Sequence, residues 1–225
     1  MPIIPISAQL KLNIDAVVDY LCRIPIPTRE FSVPPYMIII RSFDINHPGQ
    51  EAEDLRGGVA GGTILKGVLK VGDEIAIRPG KKYKNKKTNK FTWTEIRSVV
   101  TSLMADNNAL MYAIPGGLIA VGTKVDPQFT RSDVMVGGVI GHPDLMPEVY
   151  NEIDVTTTIL KRIVGTKSDE KTLQKIQKDE TLMINIGSTN CFGTVVKVQG
   201  VSQVCQVNCF FITLITIVYF SLMVY

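Results

Sequence analysis

The sequence predicts a mainly β protein with a closed barrel at its centre. From Tyr36 to about Glu148, short β-branched runs alternate with glycine: MIIIRSFDI, TILKGVLKV, DEIAIRPG, EIRSVVTSLM, GGLIAVGTKV and MVGGVIG. Long helical periodicity is absent from this region, and the turns between the runs are short. Closing six such strands into a barrel would remove the exposed sheet edges that promote aggregation, which favours a barrel over an open sheet.

An amphipathic helix is predicted before the barrel. Within residues 10–24, apolar side chains recur at intervals of three and four, whereas Asn13, Asp15 and Asp19 lie on the other side. A short apolar strand is predicted at residues 3–6, so residues 1–32 look like the last strand-helix step of an α/β domain. Four prolines, at positions 25, 27, 34 and 35, end the helix and stiffen the connector to a barrel domain at 33–148.

A second β segment follows Pro147. VYNEIDVTTTIL and TLMINIGSTNCFGTVVKVQG have strand character, with Gly187, Gly193 and Gly200 as turn residues, and a polar, helix-compatible stretch at 168–180 separates them. Residues 149–200 are therefore predicted to begin another barrel. After Lys197 the remaining 28 residues carry no charged side chain, and residues 201–225 are predicted to form an apolar tail outside that barrel.

The charge of the chain is concentrated in one segment. The chain has 24 Lys+Arg and 21 Asp+Glu, but six of the lysines lie in residues 81–90, which leaves 18 basic against 21 acidic residues elsewhere. The protein is therefore not globally basic. The lysine-rich segment is predicted to be a hairpin tip, either simply solvated or touching a phosphate backbone through lysines interleaved with Tyr83 and Asn85.

Cysteine and histidine usage argues against a metal centre. The four cysteines form no CxxC pair, and with only His47 and His142 available there is no ligand set of zinc-site spacing. The N-terminus lacks the basic start and long apolar run of a secretory signal. We therefore expect a reducing, cytoplasmic setting and no metal.

Three fragments imitate guanine-nucleotide motifs. Asp54-Leu55-Arg56-Gly57 fits DxxG, GLIAVGTK at 117–124 nearly fits a phosphate loop, and TKVD at 123–126 fits a guanine-specificity element. A phosphate loop needs lysine directly after its second glycine and a helix that begins there. Here threonine intervenes and Pro127 follows, so barrel turns are the favoured interpretation and a stand-alone nucleotide enzyme is the weaker alternative.

The cluster Gly57-Gly58-Val59-Ala60-Gly61-Gly62 would allow a partner to approach the backbone closely. Contact with RNA or a neighbouring domain and a plain turn both fit this pattern. Nothing in the residues supports nucleophilic catalysis, because no Ser/His/Asp or Cys/His arrangement has a supporting spacing.

Four motifs in order carry a resemblance to a known family: PISAQLKLNID at 5–15, RSFDINHPG at 41–49, DLRGGVAGGTILKGVLKVGDEIAIRPG at 54–80 and YAIPGGLIAVGTKVDP at 112–127. Together they closely resemble the gamma subunits of eukaryotic translation initiation factor 2, which are translational GTPases related to elongation factor Tu. The resemblance covers roughly residues 3–200. It implies a GTP-binding domain followed by two β-barrels, with residues 33–148 as an elongation factor Tu-like domain 2 and 149–200 as part of domain 3.

The resemblance also implies a function. The family binds initiator methionyl-tRNA in a GTP-dependent way and delivers it to the small ribosomal subunit, with the alpha and beta subunits of the factor as partners. By resemblance, Ser7, Ala8 and Gln9 contact the guanine base. The phosphate loop, both switches and the N-K-x-D element are missing from the sequence, so we expect this chain alone neither to hydrolyse GTP nor to bind GTP and magnesium tightly. The tRNA contacts that the resemblance suggests are Arg41, Asp44, Gly57, Gly58, Gly61, Gly62, Gly116 and Gly117.

The sequence departs from the family pattern beyond Gly200. A truncated or misread gene end, such as a retained intron, is the favoured interpretation of residues 201–225, and a membrane-tethered interaction module is the alternative. The apolar run from Cys209 to Tyr225 is shorter than the roughly 20 residues that span a bilayer as a helix, and no basic anchor follows it. A barrel that lacks strands would expose apolar edges, so poor solubility is expected.

Overall fold

The computed structural model describes residues 3–84, 91–156, 176–199 and 204–213. Within these ranges the chain forms one α-helix, a closed barrel and a separate four-stranded sheet. The predicted mainly β fold is confirmed.

Nine strands belong to the barrel and its immediate surroundings. In chain order they are β1 (Tyr36–Phe43), β2 (Val59–Lys66), β3 (Leu69–Lys70), β4 (Glu74–Lys84), β5 (Phe91–Ala105), β6 (Asn108–Leu110), β7 (Tyr112–Ala113), β8 (Ile119–Thr123) and β9 (Val139–Gly141). Six of them close a ring in the order β4-β9-β1-β2-β8-β5, because β5 pairs back onto β4. Every pair in the ring is antiparallel, which confirms the predicted closed barrel.

The apolar residues of the barrel strands fill its interior. Side chains of a strand alternate between its two faces, and in β1 Met37 and Ile39 are almost completely buried whereas Ile40 is partly exposed. Burial of each such side chain contributes about 1.5–3 kcal/mol. The barrel core comprises Met37, Ile39, Ala60, Ile64, Leu69, Ile75, Ile77, Val100, Leu103, Ala113, Ile119, Val121, Val125, Met135 and Ile140.

Two strands differ in extent from the prediction. The run TILKGVLKV is broken into β2 and β3, because the chain turns at Gly67 with a φ of 71°. Strand β4 continues through Lys84, and Gly80 lies inside it with a φ of 79° at a shift in register between Ile77 and Lys81. The lysine-rich segment therefore starts as paired strand and not as a hairpin tip, and residues 85–90 lie outside the described part of the chain.

The N-terminal region forms a helix but not the predicted strand. Helix α1 covers Ile14–Arg23 and begins later than expected, because a tight turn occupies residues 7–12 and Asn13 has a φ of 57°. Residues 3–6 are irregular, since no strand among the described residues pairs with them. The apolar face of α1 remains open, and Val18 and Leu21 are 53% and 59% exposed.

The second β unit is an antiparallel sheet of four strands. These are β10 (Val149–Thr156), β11 (Thr181–Ile186), β12 (Thr189–Gln199) and β13 (Val204–Thr213), in the order β10-β13-β12-β11. Gly187 turns the chain with a φ of 58°, as predicted, but Gly193 lies within β12 and pairs with Leu182 and Cys209. Gly200 and most of the helix-compatible stretch at 168–180 fall outside the described residues.

Strand β13 overturns part of the expectation for the C-terminal run. Residues 201–225 were predicted to lie outside the second β unit, yet β13 pairs with β10 on one side and with β12 on the other. The absence of charged residues from this segment suggested a tail. A strand that lies between two others, however, is stabilised by β-branched residues and by backbone hydrogen bonds on both sides, and it does not need charged residues.

Hydrogen bonds join the barrel at one point to the connector before β10 and at another to the turn between β11 and β12. Arg78 of β4 donates from Nη1 to the backbone oxygens of Met146 (2.9 Å) and Pro147 (2.8 Å), and from Nε and Nη2 to Glu95 Oε2 (3.0 and 2.9 Å). At the other point, the Ser188 hydroxyl donates to the backbone oxygen of Ile39 over 2.6 Å. The barrel thus holds both the connector to the second unit and the turn between β11 and β12.

Candidate nucleic-acid interface

A cleft of about 790 Å³ opens on one side of the barrel. The end of β1 and the loop after it form one wall, and the loop after β8 forms the other. Its lining includes Arg41, Phe43, Asp44, Asn46, His47 and Leu55 on the first wall, and Asp126, Pro127, Arg131, Ser132 and Asp133 on the second. Two of the predicted tRNA contacts, Arg41 and Asp44, therefore lie in the same cleft.

Asp133 joins the two walls of the cleft. Its Oδ1 accepts the Ser42 backbone N–H (2.9 Å) and its Oδ2 accepts Arg41 Nη1 (2.8 Å). The hydrogen bond from the Ser42 backbone and then the bond from Arg41 hold the pKa of the Asp133 carboxyl below its ordinary value. Ser132 and Asp133 both have positive φ, 57° and 59°, a conformation that non-glycine residues rarely adopt, so these contacts fix an uncommon backbone turn.

Asp44 organises the loop that follows β1. Its Oδ1 accepts both the backbone N–H (3.0 Å) and the side-chain amide (2.8 Å) of Asn46. These two bonds lower the pKa of the Asp44 carboxyl, with a smaller contribution from the charge of Arg131. Asn46 in turn bonds the Arg56 backbone in both directions, at 2.7 and 2.8 Å, which ties the two ends of the loop together.

Of the two arginines in the cleft, one is held in an ion pair and the other can pair with a ligand. Arg41 is engaged by Asp133, whereas Arg131 is exposed and forms no ion pair with any residue in the described part of the chain. Phe43 and Leu55 line the same cleft and are 42% and 50% exposed, so the cleft combines apolar surface with this cation. Such a site can hold a flat apolar group together with an anionic one.

The glycines of the 57–62 cluster mainly serve the barrel itself. A plain turn was one of the two interpretations of this cluster, but Gly61 and Gly62 lie within β2, between β1 and β8. A side chain at Gly62 would collide with the Ile38 backbone oxygen, and one at Gly58 with the Thr130 side chain. Close packing against the Ile38 backbone and the Thr130 side chain explains these two glycines within the protein, and Gly61, whose added Cβ would lie 3.4 Å from the Phe43 ring, is the one that sits nearest the cleft wall.

Gly57, Gly116 and Gly117 are placed differently. A side chain at Gly57 would meet the Thr123 backbone oxygen, so Gly57 also belongs to internal packing. Gly116 and Gly117 form an exposed turn with φ of 111° and 72°, and the Arg29 guanidinium lies against Gly116. This turn does not line the cleft, so the structure does not bring all eight suggested tRNA contacts into one site.

Ser7, Ala8 and Gln9 form the tight turn before α1. Ser7 and Leu12 exchange backbone hydrogen bonds (3.0 and 3.3 Å), Ser7 Oγ accepts the Leu10 N–H (3.3 Å), and Ala8 and Gln9 are exposed. Asn13 Nδ2 donates to the Pro5 oxygen over 2.9 Å and closes the turn. Ala8 and Gln9 thus lie on the surface at the tip of the turn.

The three imitations of nucleotide motifs lack the geometry of a nucleotide site. Residues 119–123 of GLIAVGTK are strand β8, and Lys124 is exposed with its N–H donated to Ser98 Oγ. The element after it is a single 3-10 turn, Pro127–Phe129, and no helix starts at the lysine. The rejection of these fragments as a phosphate site agrees with the structure.

Sequence reasoning missed the second wall of the cleft. Arg131, Ser132 and Asp133 lie some 90 positions from Arg41 in the chain, and no motif links the two segments. The available signal was weak: TRSD follows a proline and contains residue types that tolerate positive φ.

The residues that the structure describes lack two kinds of feature. They contain no group of three or more His, Cys, Asp or Glu side chains placed to hold a metal ion. They also contain no helix long and apolar enough to cross a membrane.

Two family models match separate parts of the chain. Residues 57–141 match Elongation factor Tu domain 2, and residues 151–208 match Initiation factor eIF2 gamma, C terminal. The first range falls within the barrel, and the described residues of the second belong to the unit that contains the four-stranded sheet. The second range also includes residues 201–208, which we had expected to lie beyond the family pattern.

Curated proteins match most of the chain. It is 50% identical over 203 residues to Eukaryotic translation initiation factor 2 subunit gamma of Schizosaccharomyces pombe, covering 88% of this chain and 45% of the relative. It is 48% identical over 204 residues to Eukaryotic translation initiation factor 2 subunit 3 of Drosophila melanogaster, covering 88% of this chain and 43% of the relative. The chain thus spans less than half the length of these relatives. With half of its residues identical over nearly its whole length, the chain belongs to the gamma-subunit family of eukaryotic translation initiation factor 2.

Proposed function

We propose that this chain supplies tRNA-binding surface to a cytoplasmic translation initiation factor, and that its barrel cleft receives the acceptor end of initiator methionyl-tRNA. The observation that carries the proposal is the cleft itself, in a chain of this family, with a free cation beside exposed apolar surface. The complete factor, with its alpha and beta subunits, delivers the tRNA to the small ribosomal subunit.

The lining of the cleft suits the single-stranded end of an RNA. Unstacked bases are held on aromatic or arginine planes and by hydrogen bonds to their edges. Phe43 offers an exposed ring, Arg131 offers a cation for a phosphate, and His47 adds a polar ring at the rim. Arg41, already paired with Asp133, orients the wall and adds little free charge.

The glycines have two different roles in this proposal. Gly57, Gly58 and Gly62 act indirectly, because they let the strands and loops behind the cleft approach each other. Gly61 gives Phe43 room, and the exposed turn at Gly116 and Gly117 is a second, separate contact for the tRNA or for the GTP-binding domain.

GTP belongs to the complete factor in this proposal. Ser7, Ala8 and Gln9 would contribute backbone contacts to the guanine base from the exposed turn before α1. GTP with Mg²⁺ supplies the switch between tRNA-binding states when it is bound. The groups that grip the phosphates are not among the motifs of this chain.

The test uses RNA binding by the chain and by two charge-matched variants. The probe is a fluorescent RNA hairpin with a single-stranded 3′ extension that ends in esterified methionine, and the readout is anisotropy. Arg131→Gln should weaken binding by about fivefold at 0.15 M salt, the effect of one lost phosphate contact. Lys70→Gln, which removes an exposed charge from β3 outside the cleft, should leave binding unchanged. Equal affinities for Arg131→Gln and the parent chain would refute the role of the cleft.

A further inference from the structure

The loop between β1 and β2 is closed by the side chain of Asn46. Its Nδ2 donates to the Arg56 backbone oxygen over 2.8 Å, and its Oδ1 accepts the Arg56 backbone N–H over 2.7 Å. The amide therefore pairs with both polar backbone groups of one residue, as the opposite residue of an antiparallel strand would. Nδ2 also donates to Asp44 Oδ1 over 2.8 Å, so both amide hydrogens and the amide oxygen are used.

These three bonds need two donated hydrogens and an acceptor at position 46. The asparagine amide supplies all of them. An aspartate carboxylate would keep the acceptor but has no hydrogen to donate, and it would stand beside the negative charge of Asp44. Alanine would make none of the three bonds. The amide also joins two motifs of the sequence, RSFDINHPG at 41–49 and DLRG at 54–57.

The residues next to this pair line the cleft. His47 directly follows Asn46, Leu55 directly precedes Arg56, and both belong to the first wall. Leu55 is half-exposed and supplies part of the apolar surface of that wall. The pairing of Asn46 with the Arg56 backbone therefore determines where the wall carries a polar ring and where it carries apolar surface.

Little regular structure supports the loop otherwise. Residues 44–58 contain no strand, and their one helical element is the 3-10 turn Ala52–Asp54. Gln50 bridges the middle of the loop, because it accepts the His47 N–H (3.2 Å) and donates to the Asp54 oxygen (2.7 Å). Side-chain bonds, and not a β ladder, thus give the loop its shape, and Asn46 lies where the two ends of the loop meet.

We propose that Asn46 is a positioning residue of the cleft, which holds the loop of residues 44–56 in the shape that receives the single-stranded end of the RNA. This inference rests on the proposed function. Without the three bonds the loop samples other conformations, and the RNA binds only the fraction of molecules in which the wall is formed. The apparent dissociation constant then rises by the inverse of that fraction.

The experiment measures how much a single-stranded 3′ extension adds to the affinity for RNA. One fluorescent probe is the hairpin whose extension ends in esterified methionine, and the other is the same hairpin without the extension. The full chain is compared with Asn46→Ala, with Asn46→Asp and with the control Asn107→Ala. Asn107 is an exposed asparagine in the turn between β5 and β6, outside the cleft.

Asn46→Ala should bind the extended probe about tenfold more weakly than the parent chain, which corresponds to a formed wall in about one molecule in ten. Its affinity for the blunt hairpin should not change. The steepness of log K against log[salt] should also stay the same, whereas loss of a phosphate contact lowers it by about 0.7–0.9. Asn46→Asp should lose at least as much affinity as Asn46→Ala, and Asn107→Ala should behave as the parent chain.

Hydrogen exchange separates positioning from direct contact and from general loss of stability. In Asn46→Ala the Arg56 N–H should exchange faster than in the parent chain and should regain protection when the extended probe binds. The N–H groups of β1 and β2 should keep their protection. Unchanged exchange of the Arg56 N–H would indicate direct contact of Asn46 with RNA, and faster exchange throughout the barrel would indicate loss of stability; either result overturns the positioning role.

The binding data also keep this inference apart from the proposed function. If the extension adds affinity to the parent chain and adds just as much to Asn46→Ala or Asn46→Asp, the positioning role is wrong and the proposed function stands. An equal loss of affinity for both probes in Asn46→Ala likewise overturns the positioning role. If the extension adds no affinity to the parent chain, the proposed function fails and this inference fails with it.

Discussion

Replacing Arg78 with methionine should destabilise the protein more than any other single change at the junction of the β units. The Arg78 and Glu95 side chains are each 22% exposed, and the guanidinium makes four hydrogen bonds. Methionine fills a similar volume but leaves the carbonyl oxygens of Met146 and Pro147 without this donor. Removing one partner of a largely buried ion pair costs about 3–5 kcal/mol, and the remaining bond from Arg97 to Glu95 lowers the expected cost to about 3 kcal/mol.

Urea unfolding followed by the fluorescence of the single tryptophan, Trp93, measures this effect. With a slope of about 1–3 kcal/mol per molar urea, a loss of about 3 kcal/mol lowers the midpoint by at least 1 M. Arg97→Met is the matched control, because Arg97 is 64% exposed and bonds only the other oxygen of Glu95. Surface pairs of this kind contribute about 0–1 kcal/mol. Equal midpoint shifts for the two variants would refute the assignment of Arg78 as the anchor of the connector.

Three further predictions concern the barrel, the carboxylates and the nucleotide. Gly62→Ala should lower the free energy of unfolding in urea by about 1–3 kcal/mol, because the added Cβ meets a backbone carbonyl. Gly61→Ala is the control and should change this free energy by less than about 0.5 kcal/mol. Equal effects of the two substitutions would contradict the barrel role of Gly62. Folding lowers the pKa values of Glu95 and Asp133. The two carboxylates therefore stabilise the folded chain fully above their pKa in the unfolded chain, about 4, and this stabilisation is lost as the pH falls through their lower pKa in the folded chain. A urea midpoint that stays constant between pH 6 and about pH 3 would contradict this. Calorimetric titration of the chain with GTP and Mg²⁺ should detect no binding tighter than about micromolar, and a tighter complex would show that the turn at residues 7–9 is not the only nucleotide contact.

The barrel was predictable because its signals are local. Alternating β-branched residues mark each strand, and glycines such as Gly67 and Gly72 mark turns that need positive φ. Strand ends were less predictable, because β4 continues past Gly80 only where β5 offers a partner. The strand expected at residues 3–6 failed for the same reason, since an apolar run needs a neighbour before it can become a strand.

The glycine cluster shows why the candidate site was only half predictable. Closely spaced glycines indicate that other atoms come very near the backbone, but they do not indicate which atoms these are. In β2 the neighbours are the strands β1 and β8 of the same barrel, and not an RNA. The cleft, in contrast, depends on the hydrogen bond that the Ser42 backbone N–H donates to Asp133, a residue far away in the sequence. A contact between such distant residues cannot be predicted from any short sequence motif.

The cleft and the second β unit are linked through one short stretch of β1. The Ile39 oxygen accepts the Ser188 hydroxyl (2.6 Å) and the Gly137 N–H (3.2 Å), and Arg41 follows two residues later in the cleft wall. The loop that contains Gly137 also contains Asp133, which holds Arg41 and the Ser42 backbone. The position of this wall is therefore set from both sides, by the barrel and by the β11–β12 turn that docks on it. An isolated barrel without the second unit would lose one of the two hydrogen bonds that the Ile39 oxygen accepts, and we expect the wall of the cleft to be less firmly held as a result.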